Sequence, residues 1–137
     1  MNIDATRRCL PTLIATLLLC LGAQHALAHH SFAMFDAQKE SKIAGVVTEY
    51  RFMNPHTYFR LDVAGKKGTK SVSYLLEAPT PVILKRLGWT SKTLKPGDKI
   101  EVLMHPLKDG KPGGQALRVW LPDGKLMRMD NEDIKYK

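Results

Sequence analysis

Residues 71–88, Ser71-Val72-Ser73-Tyr74-Leu75-Leu76-Glu77-Ala78-Pro79-Thr80-Pro81-Val82-Ile83-Leu84-Lys85-Arg86-Leu87-Gly88, change periodicity partway along. Ser71 to Glu77 reads as a β-strand. From Thr80 onward the period is helical, with Val82, Ile83, Leu84 and Leu87 able to line one face. Thr80 suits an N-cap, Pro81 the first helical position, and Gly88 the place just past the end. A strand that runs directly into a short helix divides the chain into an earlier and a later group of strands.

Two strands precede it. Ile43 to Phe52 is a long β-forming run in which Gly45 invites a bulge or bend. Asn54-Pro55 marks a turn. His56 to Val63 is a second strand, and its Tyr58, Phe59, Leu61 and Val63 suit a pleated surface. Gly65 to Gly68 then makes a hairpin turn. After the helix, Lys95-Pro96-Gly97-Asp98 turns the chain into a fourth strand, Lys99 to Met104. Asp109 to Gly114 is a glycine-rich loop, Gln115 to Leu121 a fifth strand, and Asp123-Gly124 a turn into a short piece around Leu126.

Three strands, a short helix and two strands is the order of a mainly β, OB-like five-stranded barrel, with the helix plugging the barrel between strands three and four. Closure is favoured over an open sheet, because it removes edges that a disulfide-free exported domain would expose. Val47, Leu61, Val63, Leu76, Ile100, Val102 and Val119 are expected to share one core, with the Trp89 ring over the barrel end.

The first 28 residues read differently. Arg7 and Arg8 give a positive start, Leu10 to Leu21 is almost wholly apolar, and Ala26-Leu27-Ala28 is a small-x-small cleavage site. That is the pattern of a secretory signal peptide, and its apolar run is well short of the ~20 residues that span a bilayer. Cleavage is expected after Ala28, giving a periplasmic protein with no stable membrane anchor. Leu19, where a lipobox wants a small residue, argues against lipid attachment at Cys20. Residues 29–42 are expected to form an irregular N-terminal arm from which Phe32, Met34 and Phe35 can dock. Residues 43–129 form the barrel and 130–137 a polar tail.

Both cysteines, Cys9 and Cys20, fall in the signal segment, so the mature part has no thiol for a disulfide or a nucleophile. Its size is sufficient for a core without such staples. The formal charge is +8, nearly all of it on the mature part. That balance favours anionic partners such as an envelope polymer or an acidic protein. Export excludes nucleic acid as a partner, although Tyr50, Phe52, Tyr58 and Phe59 could form a stacking face. No phosphate loop, cysteine nucleophile or serine elbow is present, and the single strand carboxylate Glu77 is a poor basis for catalysis, so an enzyme is not expected.

Cleavage after Ala28 would leave His29 first, followed by His30. An N-terminal histidine offers its α-amine and Nδ1 to one ion as a chelate, and a further imidazole completes an all-nitrogen site. Such donors rank Cu(II) highest among first-row divalent ions. His56 follows the turn between strands one and two. His105 ends strand four, and these two connections are expected at one end of the barrel. Met53 and Met104 adjoin these histidines, and thioethers favour Cu(I).

Several segments together resemble a known family. They are His29-His30-Ser31-Phe32 ending at Phe35-Asp36, Gly45-Val46-Val47 running to Asn54-Pro55-His56, Leu87-Gly88-Trp89 followed by Leu94-Lys95-Pro96-Gly97-Asp98, and His105 with Lys108-Asp109-Gly110. In these the chain resembles the DUF6152 family of small exported bacterial proteins, although Met53 stands where that family often carries an aromatic residue. The resemblance implies export and a single domain, and implies no activity.

The leading expectation is therefore a periplasmic carrier or buffer of a metal ion, copper above all. His29, His56 and His105 are its expected ligands, with His30 in reserve. The alternative is a periplasmic OB-type binding module for an anionic envelope ligand or a partner protein.

Overall fold

The computed structural model describes residues 32–65 and 69–129. The expected signal segment, His29, His30, the hairpin lysines Lys66 and Lys67, and the tail from Asp130 lie outside the described residues. After a 3-10 turn at Phe32–Met34 come β1 (Ser41–Arg51), β2 (Thr57–Val63), β3 (Val72–Ala78), α1 (Pro81–Arg86), β4 (Lys99–Pro106), β5 (Gly113–Trp120) and β6 (Leu126–Arg128).

The strands form one sheet in the order β3-β2-β1-β4-β5-β6, and a parallel pairing of β3 with β5 closes five of them into a barrel. The short piece around Leu126 becomes a sixth strand beside β5. Strand β1 makes closure possible, because its first half pairs with β4 and its second half with β2. It changes partners at Gly45–Val46. A side chain at Gly45 would run into the Asp62 carbonyl and come within 2.9 Å of the Leu61 side chain, so only glycine lets β1 pass so close to β2.

Alternation assigns the two faces. Val47, Phe59, Leu61, Leu76, Ile100, Val102, Met104, Ala116 and Val119 point inward and are buried, and Val63 and Tyr74 pack on them partly buried. The seven residues expected to share a core therefore do so.

The helix is anchored as expected at its start, where the Thr80 hydroxyl accepts from the Ile83 amide at 3.5 Å. It buries a narrower face than expected. Leu84 is fully enclosed in the core, whereas Val82 is 57% exposed, because six residues make fewer than two turns. Gly88 follows at φ 86°, a left-handed conformation that admits glycine without strain. It turns the chain so that Trp89 enters the core, 1% exposed, with its indole N–H donating to the Arg128 carbonyl at 2.7 Å.

The segment before β1 is fastened to the barrel from Met34 onward. The Asp36 amide donates to the Pro106 carbonyl and the Lys108 amide to the Met34 carbonyl. Phe35 bridges Leu107 and is buried, while Met34 stays exposed.

Candidate functional site on the outer barrel wall

His56 stands immediately before β2, at the end of a connection that contains a cis Asn54-Pro55 bond. Its Nδ1 meets a carboxylate oxygen of Glu77 on β3, with both side chains about one-third exposed. Glu77 faces outward because its neighbours Leu76 and Ala78 face the core. The pair lines a groove of about 350 Å³ together with Pro55, Tyr58, Arg60 and Leu75. Pro55 and Leu75 supply apolar floor, and the other four supply hydrogen-bonding or charged groups.

Arg60 is held from the next strand. Glu49 of β1 accepts from Arg60 Nε at 3.1 Å and from Arg51 Nε at 2.6 Å. Two guanidinium groups share one carboxylate, so this cluster keeps an unbalanced positive charge. Arg51 is the principal cause that holds the Glu49 carboxyl below its usual range.

His105 lies inside β4 rather than at its end, because that strand continues to Pro106. Its Nδ1 is 2.7 Å from the Lys39 carbonyl oxygen. A carbonyl only accepts, so Nδ1 carries the proton and the lone pair of neutral His105 is on Nε2. The same reasoning applies to His56 against an ionised Glu77.

The two histidines do not converge. Register places β3 and β5 between them: Tyr58 pairs with Glu77, Glu77 with Gln115, and Gln115 with His105. Their connections also do not share one end. The β1–β2 connection enters at Thr57, opposite Ala78, and the β4–β5 connection enters at Gly113, opposite Leu75. These loops therefore flank the outer wall from two sides, about 10 Å apart along β3. The reason is strand direction: β2 runs against β3, whereas β5 runs with it.

Met104 is buried inside the barrel and His105 points out, so the thioether and imidazole face opposite sides of the wall. Met53 is exposed. Among the described residues, no three His, Cys, Asp or Glu side chains are grouped to hold a metal ion. The expected ligands His29 and His30 lie outside the described residues.

Sequence reasoning recognised His56 but missed Glu77, Arg60, Tyr58 and Gln115 as its companions. The alternation in β2 and β3 marks Tyr58, Arg60 and Glu77 as one outer face. Only the β3–β5 pairing brings Gln115 beside them.

A second concavity, of about 540 Å³, is lined by Gly45, Asp62, Trp120 and Pro122 among others. Two of its lining residues are already engaged by Lys42, which stands 2.6 Å from Glu101 and 4.2 Å above the Trp120 ring. The groove at His56 is therefore the better candidate.

Fold and groove define an OB-like barrel with a candidate binding groove on its β2–β3 wall. The chain belongs to the family of unknown function DUF6152, whose profile matches residues 16–116. No curated protein matches it by sequence. It is similar to a solved structure described as "Crystal structure of the ZRD-deleted mutant of TiaS in complex with agmatine", at 17% identity and a TM-score of 0.45. That similarity covers 69% of this chain, which spans 27% of the length of the other.

Proposed function

We propose that this protein is an exported, periplasmic binding module that holds an anionic ligand against the β2–β3 wall. The observation that carries this reading is the groove where Arg60 and the His56–Glu77 pair stand beside Pro55, Tyr58 and Leu75. The barrel supplies a rigid wall, so the polar groups are positioned before the ligand arrives. An acid group is held by Arg60, and the apolar floor takes the carbon skeleton next to it. The basic balance of the chain steers anions toward the surface. Titrating the ¹⁵N-labelled mature protein with acetate and with inorganic phosphate tests this. Shift changes should concentrate on His56, Tyr58, Arg60 and Glu77, and Arg60→Gln should abolish them. Changes scattered over surface lysines would sink the reading.

The copper-carrier reading stands second, and one observation favours it. In both described histidines the Nδ1 proton is directed at an oxygen, the orientation that metal-bound imidazoles use when Nε2 is the ligand. His29, and His30 in reserve, would supply the amine and further nitrogens. Because His56 and His105 sit on different partners, each would work without the other. Titration with Cu(II) against a competing chelator compares wild type, His56→Ala, His105→Ala and a form extended ahead of His29. Equal affinities in all four would end the copper reading.

A further inference from the structure

The change of partners along β1 leaves one of its edges open. Strand β4 pairs with Ser41 to Val46 and goes no further. The last backbone bonds across that edge run from the Gly97 amide to the Val47 carbonyl and from the Val47 amide to the Asp98 carbonyl. Beyond them, Glu49 to Arg51 pairs with β2 on one side. Among the described residues, no backbone hydrogen bond reaches Thr48 to Arg51 from the other side.

The sequence explains why the ladder stops. Pro96 has no amide to donate, and the Lys95 amide donates to the Asp98 carboxylate at 3.0 Å instead. The segment before it, Thr90 to Lys95, stands beside β1 without pairing with it. Two of its amides are taken up by its own threonines: Thr90 donates to Thr93 Oγ1 at 2.8 Å, and Lys92 to Thr90 Oγ1 at 3.2 Å. Buried Trp89 and Leu94 anchor the segment, and the Tyr50 hydroxyl donates to the Thr90 carbonyl at 3.0 Å. Between the segment and the edge lies a slot of about 560 Å³, lined by Thr48, Glu49, Arg51, Ser91, Lys92 and Lys95 among others.

We propose that this edge takes up an extended acidic segment of a partner protein as an added strand. The edge selects a peptide, because the unpaired N–H and C=O groups of a strand are matched by a second extended backbone. Four residues at about 3.3 Å each present about 13 Å of edge, the length of a short strand. The charges select acidic side chains. Arg51, Lys92 and Lys95 line the slot, and the acidic residue among them, Glu49, is already shared by Arg51 and Arg60. Among the described residues, neither Lys92 nor Lys95 has an ion-pair partner. A small anion would meet the lysines and leave the strand edge unpaired, so it fits only half of the surface.

The probe is a capped hexapeptide alternating glutamate and valine, titrated into the ¹⁵N-labelled mature chain. Shift changes should fall on Thr48 to Arg51 and Ser91 to Lys95, and hydrogen exchange should slow at an amide within Thr48 to Arg51. His56 and Glu77 should stay still, which separates this surface from the groove. Replacing Lys92 and Lys95 together by alanine should weaken binding about tenfold. Both lysines are exposed, and circular dichroism confirms that the variant is folded. Binding should also weaken with added salt.

The same peptide with alternate amides N-methylated keeps its charge but cannot pair along an edge. If it binds as tightly, only charge is being read and the added strand is overturned. A lysine–valine peptide of equal affinity would overturn the acidic class. A concentration-dependent dimer without peptide would give the edge to a second copy and overturn the partner segment. Shift changes absent from Thr48 to Arg51 would overturn the site itself, with the groove untouched.

Discussion

The carboxylate of Glu77 accepts from Nδ1 of His56, tying the β1–β2 connection to the strand that closes the barrel. The contact fixes a loop residue to a strand whose far side is already paired with β5. It therefore positions His56 from the most constrained part of the wall.

Glu77→Gln should release His56 while costing little stability. Both side chains are about one-third exposed, and such pairs contribute about 0.2–1 kcal/mol. The expected result is a small change in Tm and a clear change in the His56 ring nitrogen shifts, from a fixed Nδ1–H tautomer to a mixture. Unchanged shifts would show that Glu77 does not orient the ring.

Gly113→Ala should strain the closure of the barrel. A Cβ there would lie 2.8 Å from the Leu75 carbonyl oxygen and 3.0 Å from Leu107 Cδ1. Neither the backbone oxygen nor the strand behind it yields easily, so a loss of about 1–3 kcal/mol is expected. Urea unfolding measures it. Hydrogen exchange should show the Leu75–Glu77 amides losing protection first.

Trp89→Phe separates packing from hydrogen bonding at the barrel end. Phenylalanine fills most of the space but leaves the Arg128 carbonyl without its indole donor. The loss of one such part-buried hydrogen bond costs about 0.5–1.5 kcal/mol. Trp89→Ala should cost more, about 3–5 kcal/mol, because a cavity is added. Equal losses in the two variants would show that the ring's volume is unimportant.

Phe35→Ala tests how the segment before β1 is held. Phe35 is buried but lies outside the main core cluster. Its loss should fall at the lower end of about 3–5 kcal/mol. His105 should report the change, since its Nδ1 partner Lys39 belongs to the same segment. If the His105 resonances do not move, Phe35 does not position Lys39.

The turn at Asp36 should loosen in acid. Its carboxyl is held below the ordinary value of 3.8, chiefly by the hydrogen bond from Lys39. A depressed carboxylate stabilises the folded turn above pH 3.8, and that contribution disappears as pH falls through the lower folded value. Carboxyl titration by NMR should give Asp36 a midpoint below 3.8, and Lys39→Ala should bring it back up. A midpoint at or above 3.8 in the wild type would contradict the contact.

The barrel was legible in the sequence because its signals are local. Alternation in Thr57–Val63 and Lys99–Pro106, the Thr80-Pro81 helix start and the glycine at 88 each depend on a few neighbouring residues. Periodicity and backbone preference decide them before any long-range contact forms. The inward set from Val47 to Val119 comes from the same alternation.

Partnership across strands is a different matter. That Glu77 would meet His56 on one side and Gln115 on the other depends on register between segments far apart in sequence. A slip of one residue would have turned those side chains inward. The sequence by itself determined the order of strands and helix, which favours a barrel, and the alternation that sets the inward residues. The tertiary structure alone decided that His56 and His105 would lie apart with β3 and β5 between them, because β5 pairs parallel to β3 and places β4, which carries His105, two strands from the Glu77 partner of His56.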